Sequence, residues 1–178
     1  MTRLFVAIDL PEQIKRTLAR FSSEIPSARW VGSEELHLTM RFIGEVDQET
    51  FSSIKTVLAG VKFPAFPLSI CGVGHFPPGR HPRVLWVGLG PCDPLIQLQQ
   101  EIEIALLDAG ITADERPFSP HITLARFKES VPAAVERFEK AHLEFACPSF
   151  EVNHFILYSS VLTPRGAIHT KEAVYRCR

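Results

Sequence analysis

A tetrapeptide pattern that occurs twice, as HLTM at 37–40 and as HITL at 121–124, is the feature that most constrains this chain. In each copy a histidine and a threonine alternate with two apolar residues. Because successive side chains of a β-strand point to opposite faces, the histidine and the threonine share one face and the apolar pair shares the other. The pattern predicts two strands that each bury an apolar back and present an imidazole and a hydroxyl in front.

This pair of strands has the chemistry that a phosphodiester needs, provided that the two polar faces meet in one cleft. Imidazole titrates near neutral pH, so that one copy can accept a proton while the other donates one. Hydroxyl groups donate hydrogen bonds to phosphoryl oxygens. Opening a cyclic phosphodiester requires a base for the incoming water and an acid for the leaving oxygen. His37 and His121 are therefore the candidate catalytic residues, with Thr39 and Thr123 beside them.

Other interpretations of the two motifs compete with this one. A single His-x-Thr on an amphipathic strand is usually structural, but two copies in corresponding halves of the chain favour a function. A metal site is a rival because histidine is a common ligand, yet neither motif contains an acidic residue and there is no H-x-H or H-E-x-x-H. No G-x-S-x-G occurs and no cysteine adjoins either motif, which argues against a nucleophilic triad.

The periodicity of the remaining sequence predicts an α+β protein with largely antiparallel sheets, since strands and helices do not alternate as regular β-α-β units. The order of elements before each tetrapeptide is similar, which indicates a duplicated plan over residues 1–178. Strands are predicted at 3–9, 28–31, 36–43, 67–74, 83–89, 121–127, 149–158 and 170–175, and helices at 11–23, 48–58, 93–109 and 132–140.

Composition limits the class of protein and of partner. A net charge of −1 argues against broad nonspecific binding to a polyanion, although it permits a small site with a few cations. No window approaches 18 uncharged apolar residues, and the apolar run at 4–8 is too short for a signal peptide. The four cysteines form no C-x-x-C pair or zinc-like spacing. We therefore expect a cytoplasmic, monomeric protein with reduced thiols, no membrane segment and no obligate protein partner.

The chain resembles the 2H phosphoesterase superfamily, and in particular its RNA 2′,3′-cyclic phosphodiesterase branch, also called the 2′-5′ RNA ligase family. The paired H-x-[ST]-x signature matches at both tetrapeptides, and the strings RLFVAIDLP, HLTMRFIGEV, SPHITLARF and YSSVLTPRG are similar to that branch. The similarity runs from residue 3 to about 175. It implies two similar lobes, each an antiparallel sheet flanked by helices, with the active cleft between the sheets.

The resemblance also implies an activity and a role for each residue. The reaction would convert the 2′,3′-cyclic phosphate at an RNA end into a 2′-phosphomonoester, without a metal or another cofactor. His37 would be the general acid that protonates O3′, and His121 the general base that activates water. Thr39, Thr123 and Arg126 would bind phosphate oxygens. Ligation of RNA ends in the reverse direction and an inactive nucleotide-binding module remain alternatives.

Two positions fit this scheme less simply. Strict alternation places Arg126 on the face opposite His121, so that it reaches the phosphate only if the strand bulges or the side chain wraps round the strand end. The same alternation places Arg41 beside His37, which makes Arg41 a possible substrate contact. In addition, His169 stands where family members often carry a tyrosine.

Sequence context also assigns the remaining aromatic and histidine residues. Phe5 and Phe42 are expected in the core, and Phe76 is a possible substrate contact. Histidines outside the motifs are expected on the surface or in loops: His75, His81, His142, His154 and His169.

Overall fold

A computed structural model describes all 178 residues, which form ten β-strands and four α-helices, with short 3₁₀ helices at Arg20–Ser23 and Ser33–Glu35. The strands are β1 Thr2–Asp9, β2 Arg29–Trp30, β3 His37–Val46, β4 Phe66–Leu68, β5 Ile70–Phe76, β6 Val84–Leu89, β7 Ile122–Arg126, β8 Phe150–Val152, β9 His154–Thr163 and β10 Gly166–Arg176. The helices are α1 Glu12–Ala19, α2 Gln48–Leu58, α3 Asp93–Asp108 and α4 Pro132–Ala141.

The strands form two four-stranded sheets and a two-stranded ribbon. The first sheet has the order β10-β9-β1-β3, the second has the order β2-β7-β6-β5, and β4 pairs with β8. Every pairing is antiparallel, which confirms the predicted α+β class. The sheets are not the two halves of the chain, because β2 joins the second sheet while the C-terminal hairpin β9–β10 joins the first.

Local capping signals define the ends of two helices as the sequence predicts. The side chain of Asp47 accepts a 2.8 Å hydrogen bond from the backbone N–H of Thr50 and so caps the first turn of α2. Helix α3 ends before Gly110, whose φ of 78° lies in the left-handed region that glycine adopts without a steric penalty. The amide of Ile111 then donates to the carbonyl of Leu106, which closes the last turn.

The predicted strand boundaries are wrong where long-range pairing decides them. The single strand predicted over 67–74 is divided into β4 and β5, which belong to different sheets. The segment 149–158 is likewise divided between β8 and β9. Strand β10 begins at Gly166 rather than at 170, because it pairs with β9 as far as Thr163. Side-chain alternation carries no information about such partners.

The apolar residues of both tetrapeptides lie in one continuous core of 37 buried residues that draws on both four-stranded sheets. Leu38 and Ile122 are fully buried, and Met40 and Leu124 are 2% exposed. This arrangement confirms the predicted apolar back of each motif strand. The backbone that carries each imidazole is therefore held by packing against the core.

The same irregularity occurs in β3 and β7, at the fourth residue of each tetrapeptide. In the first sheet, Val6 pairs with Arg41 and Ala7 with Thr39, which leaves Met40 unpaired as a β-bulge. In the second sheet, Leu85 pairs with Ala125 and Trp86 with Thr123, which leaves Leu124 unpaired. A bulge adds one residue to a strand and so reverses the faces of the residues that follow it.

The bulge in β3 makes the predicted position of Arg41 wrong. Arg41 turns away from His37 and is 8% exposed on the opposite face. Its guanidinium donates to the carbonyls of Phe42 and Thr112, both at 2.6 Å, and its Nε lies 2.7 Å from Oε1 of Glu103. Arg41 therefore ties β3 to α3 and to the segment that follows α3, and it is not placed as a substrate contact.

Replacement of Arg41 by methionine should lower the free energy of unfolding by about 2–3 kcal/mol, because it leaves a half-buried carboxylate and two carbonyls without their donor. The matched control is Arg116→Met. That arginine is 82% exposed and pairs with Asp114 at 3.2 Å, so that its loss should leave the free energy of unfolding nearly unchanged. Urea denaturation of both variants measures the difference. Equal midpoints for the two variants would contradict the structural role assigned to Arg41.

Candidate active site

A cleft of about 540 Å³ lies between the two four-stranded sheets and is lined by both tetrapeptides. His37 and Thr39 reach it from β3, and His121 and Thr123 reach it from β7 and the residue before it. Cα atoms of strands β3 and β7 lie within 8 Å of each other, although the two strands do not pair. The structure thus brings together two His-x-Thr pairs that lie 84 positions apart in the sequence.

Both imidazoles are oriented by the same hydrogen bond. Nδ1 of His37 donates to the carbonyl of Glu35 at 2.6 Å, and Nδ1 of His121 donates to the carbonyl of Ser119 at 2.7 Å. A carbonyl oxygen can only accept, so Nδ1 carries the hydrogen in each ring. In the neutral form this leaves the lone pair on Nε2 of each histidine. The local fold of the two motifs therefore sets the tautomer as well as the direction of each ring.

His37 lies against a small aromatic cluster on the cleft face of the first sheet. Its ring centroid is 5.0 Å from that of Phe5, which stacks on Tyr158 at 5.1 Å. Burial lowers the pKa of His37 to about 4, against the opposing effect of the Glu35 carbonyl, and nearby His169 lowers it further. His37 is therefore neutral at pH 7 in the unliganded cleft.

His121 has an aromatic neighbour of its own in the second sheet. The ring of Phe76 meets it edge-on with centroids 4.9 Å apart, and Trp86 lies behind Phe76 at 5.3 Å. Trp86 packs where a side chain on Gly74 would stand, since a Cβ there would lie 2.4 Å from the indole. Phe76 does not line the cleft. Its contact with His121 places it as a support for that ring.

Arg126 lies on the cleft side of β7, as the bulge at Leu124 requires. Of the two explanations that the sequence left open, the bulge is the one observed. Arg3 and Arg29 also line the cleft, and Glu35 is the one acidic residue that does. Three arginines thus face a cavity in a chain whose net charge is −1, which suits an anionic ligand.

The same reversal of faces brings Phe42 into the cleft, where it is 40% exposed. The prediction that Phe42 belongs to the core is therefore wrong. Phe5 is 4% exposed, as predicted, although part of its ring forms the floor of the cleft. The bulge in the pairing of β3 with β1 turns Phe42 towards the cleft, and the sequence alone does not reveal this bulge.

His169 is a cleft residue that sequence reasoning missed. Strand β10 carries it to within 5.6 Å of the His37 ring and 4.9 Å of the Phe5 ring, both edge-on. Burial lowers the pKa of His169. Its Nδ1 is buried and has no hydrogen-bond partner in the protein. The prediction of a surface or loop histidine is wrong here, because β10 extends four residues further towards the N-terminus than periodicity indicated.

The other histidines lie outside the cleft. His75 donates from Nδ1 to Glu139 at 2.5 Å and from Nε2 to the carbonyl of Gly79 at 3.0 Å. Burial is the largest single influence and acts to lower the pKa of His75, but the hydrogen bonds to Glu139 and to the carbonyl of Gly79, together with the charge of Glu139, outweigh it, and the pKa is raised. His142 bonds to Glu24 at 2.7 Å. These contacts hold loops and helix ends in place.

The chain offers few features for other kinds of site. No group of three or more histidine, cysteine, aspartate and glutamate side chains is placed to hold a metal ion. The four cysteines are all unpaired. None of the helices has the length and apolar character that crossing a membrane requires.

Comparison with known proteins agrees with the site. The family model described as the 2′-5′ RNA ligase superfamily matches residues 10–162, and the chain belongs to this superfamily. An RNA 2′,3′-cyclic phosphodiesterase of Thermotoga maritima is 35% identical, with 99% of this chain and 95% of the relative covered.

Two solved structures share the whole fold. The protein TT0787 of Thermus thermophilus aligns with a TM-score of 0.83 and 27% identity, over 99% of this chain and 98% of that one. Escherichia coli LigT in complex with 3′-AMP aligns with a TM-score of 0.81 and 28% identity, over 99% and 98%. The predicted resemblance and fold are confirmed.

The low pKa of His37 can be tested in the unliganded protein by following the imidazole ¹⁵N shifts with pH. We expect His37 to stay neutral as the pH falls through 6.5, where an exposed histidine titrates, and to become protonated near pH 4. Added inorganic phosphate should raise this midpoint, because a nearby anion favours the imidazolium. The His37→Asn variant assigns the signal. A midpoint at or above 6.5 without phosphate would contradict the burial effect.

Proposed function

We propose that this protein hydrolyses the 2′,3′-cyclic phosphate of RNA ends to a 2′-phosphomonoester by metal-independent general acid–base catalysis. The observation that carries the proposal is that two His-x-Thr segments, distant in the sequence, line one cleft between two sheets. The relatives named RNA 2′,3′-cyclic phosphodiesterase, which span nearly the whole chain, support the same reaction.

The charged phosphate is placed by the residues around the two rings. A five-membered cyclic phosphate carries one negative charge on its two non-bridging oxygens. Hydroxyl donors from Thr39 and Thr123 and the guanidinium of Arg126 would hold these oxygens, because all three line the cavity beside the histidines. These contacts neutralise negative charge that grows on the phosphate oxygens in the transition state. Such electrostatic stabilisation is commonly the largest single contribution to catalysis.

The two histidines then divide the proton transfers. Neutral His121 accepts a proton from water through Nε2, and the water oxygen attacks phosphorus. The P–O3′ bond breaks on the opposite side, and the imidazolium of His37 gives its Nε2 proton to O3′. The product is a 2′-phosphomonoester with a free 3′-hydroxyl. The net reaction consumes one water and needs no other reactant.

The low pKa of His37 has a consequence for this scheme. An acid with a pKa of about 4 is a strong proton donor but is rarely protonated at neutral pH. Binding of the anionic substrate supplies the missing stabilisation, since the phosphate charge raises the pKa of an adjacent imidazole. Protonation of His37 is thus coupled to substrate binding. A competing assignment makes neutral His37 the base and His121 the acid. The low pKa of His37 in the unliganded cleft favours this competing assignment.

Incubation with a 2′,3′-cyclic mononucleotide in the presence of EDTA tests the activity itself. We expect the 2′-monophosphate as the product and no loss of rate with the chelator. The 3′-monophosphate as product, or loss of activity that a divalent cation restores, would contradict the proposal. Offering a cyclic phosphate end together with a 5′-hydroxyl oligonucleotide reports ligation to a 2′-5′ bond, in which the 5′-hydroxyl takes the place of water as the nucleophile and O3′ is again the leaving group; the superfamily's name suggests this reaction.

Alanine variants separate the acid from the base. His37→Ala and His121→Ala should each lower kcat/KM by about 10²–10⁴-fold, whereas His142→Gln, outside the cleft, serves as the control. A substrate with sulfur in place of O3′ needs no protonation of its leaving group. It should therefore restore most of the rate of His37→Ala and none of that of His121→Ala. Rescue of His121→Ala instead would reverse the two roles.

A further inference from the structure

Two arginines stand directly opposite each other on neighbouring strands of the second sheet. Arg29 of β2 pairs with Arg126 of β7, and both are exposed residues that line the cleft. Neither guanidinium forms an ion pair with a carboxylate of the protein. Like charges at directly opposed positions of a sheet repel each other. The unneutralised pair therefore indicates that this side of the cleft binds anionic groups.

The two arginines serve different parts of the cleft. Arg126 lies on β7, the strand that carries Thr123, whereas Arg29 lies on β2, the edge strand one position further out. The guanidinium of Arg29 extends to the β9–β10 hairpin of the first sheet, where its Nη2 lies 2.9 Å from the position that a Cβ on Gly166 would take. Arg29 therefore spans the gap between the two sheets at the outer edge of the cleft.

The turn that Arg29 approaches has a defined shape. Gly166 has a φ of 133°, a conformation that favours glycine, and a side chain there would have to displace the guanidinium. The hydroxyl of Thr163 donates a 2.6 Å hydrogen bond to the carbonyl of Gly166, which closes the turn. Pro164 and Arg165 between them are exposed. The turn thus leaves space for the Arg29 side chain beside the cavity.

The other two arginines of the cleft are accounted for. The guanidinium carbon of Arg3 lies 4.8 Å from the centroid of the Phe42 ring on the first sheet. Arg126 is assigned to the reacting cyclic phosphate in the mechanism proposed above. Arg29 is therefore the cleft arginine that has neither a carboxylate nor an aromatic partner in the protein and no anion in the proposed reaction.

An RNA end brings a second anion to the cleft at a restricted distance from the first. The phosphodiester on the 5′ side of the terminal nucleotide carries one negative charge and lies where the chain leaves the site. It is therefore expected at the outer edge of the cleft rather than between the two histidines. A guanidinium matches the geometry of two phosphate oxygens. The cavity of about 540 Å³ also has the size of sites that enclose ligands larger than the reacting ring.

We propose that Arg29 binds the phosphodiester on the 5′ side of the terminal nucleotide, an inference that rests on the function proposed above. The protein then favours the ends of RNA chains over free cyclic mononucleotides. A hydrogen bond between charged groups corresponds to a factor of about 10–150 in affinity. Because Arg29 is exposed, the lower end of this range is expected, about tenfold.

The test compares two derivatives of adenosine 2′,3′-cyclic phosphate that differ by one charge at O5′. One carries an anionic methyl phosphate diester, and the other carries the neutral dimethyl phosphate triester of similar size. The ratio of their kcat/KM values, anionic over neutral, should be about 10 at low ionic strength and should fall in about 1 M salt, which screens the charges. Equal values at low ionic strength would overturn the phosphodiester site while leaving the proposed hydrolysis intact. Failure to hydrolyse either substrate would instead remove the proposed function.

Variants of Arg29 locate the preference. Arg29→Gln should bring the ratio to within about twofold of unity, whereas Arg29→Lys should give an intermediate ratio, because lysine keeps the charge without the paired donors. The matched control is Arg116→Gln, which removes the same charge from an exposed arginine outside the cleft and should keep the wild-type ratio.

Turnover of the neutral substrate shows that each variant has folded. A wild-type ratio in Arg29→Gln would overturn the assignment. If both substrates lose activity equally in this variant, Arg29 binds the cyclic phosphate itself and the proposal is wrong.

Discussion

The arrangement of the site depends on one irregularity of backbone pairing that is repeated in two sheets. A bulge at the fourth residue of each His-x-Thr-x segment leaves Met40 and Leu124 unpaired. Before the bulge, packing of the apolar residues fixes the imidazole and hydroxyl on the cleft side. After it, the faces exchange, so that the residue next in sequence turns inward and the fifth residue after each histidine turns to the cleft. Without the bulges Arg126 would point away from His121, and Arg41 would replace Phe42 beside His37.

The second constraint is the hydrogen bond from each Nδ1 to a carbonyl two residues earlier. It is a purely local consequence of how each strand begins, and it leaves both Nε2 atoms to meet a ligand in the cleft. The surroundings of the two rings then differ. His37 rests on Phe5 beside His169, and burial there disfavours its charged form. His121 rests on the edge of Phe76. This similar local geometry with unlike surroundings supports the complementary proton-transfer roles that we propose for the two histidines.

The parts of this structure that the sequence predicts are those set by near neighbours. Asp47 caps α2 at the predicted boundary, and Gly110 ends α3, because capping and left-handed backbone depend on a few adjacent residues. The apolar backs of the two motif strands follow from alternation.

Alternation fails at Arg41 and Phe42, because a bulge is set by the partner strand and leaves no period of its own. The division of 67–74 into β4 and β5, and the reach of β10 to His169, also depend on partners distant in sequence. The resemblance to the family predicts Arg126 in the active site, whereas periodicity alone predicts it on the face opposite His121.

In the proposed mechanism, two imidazoles approach one phosphorus atom from opposite sides, each through Nε2. A crystal structure with a nucleoside 2′,3′-cyclic vanadate, which mimics the five-coordinate transition state, tests this most directly. We expect vanadium between the two rings, with Nε2 of His37 and Nε2 of His121 each within about 3 Å of an apical oxygen. Vanadate in contact with only one of the imidazoles, or with both on the same side of the metal, would contradict it.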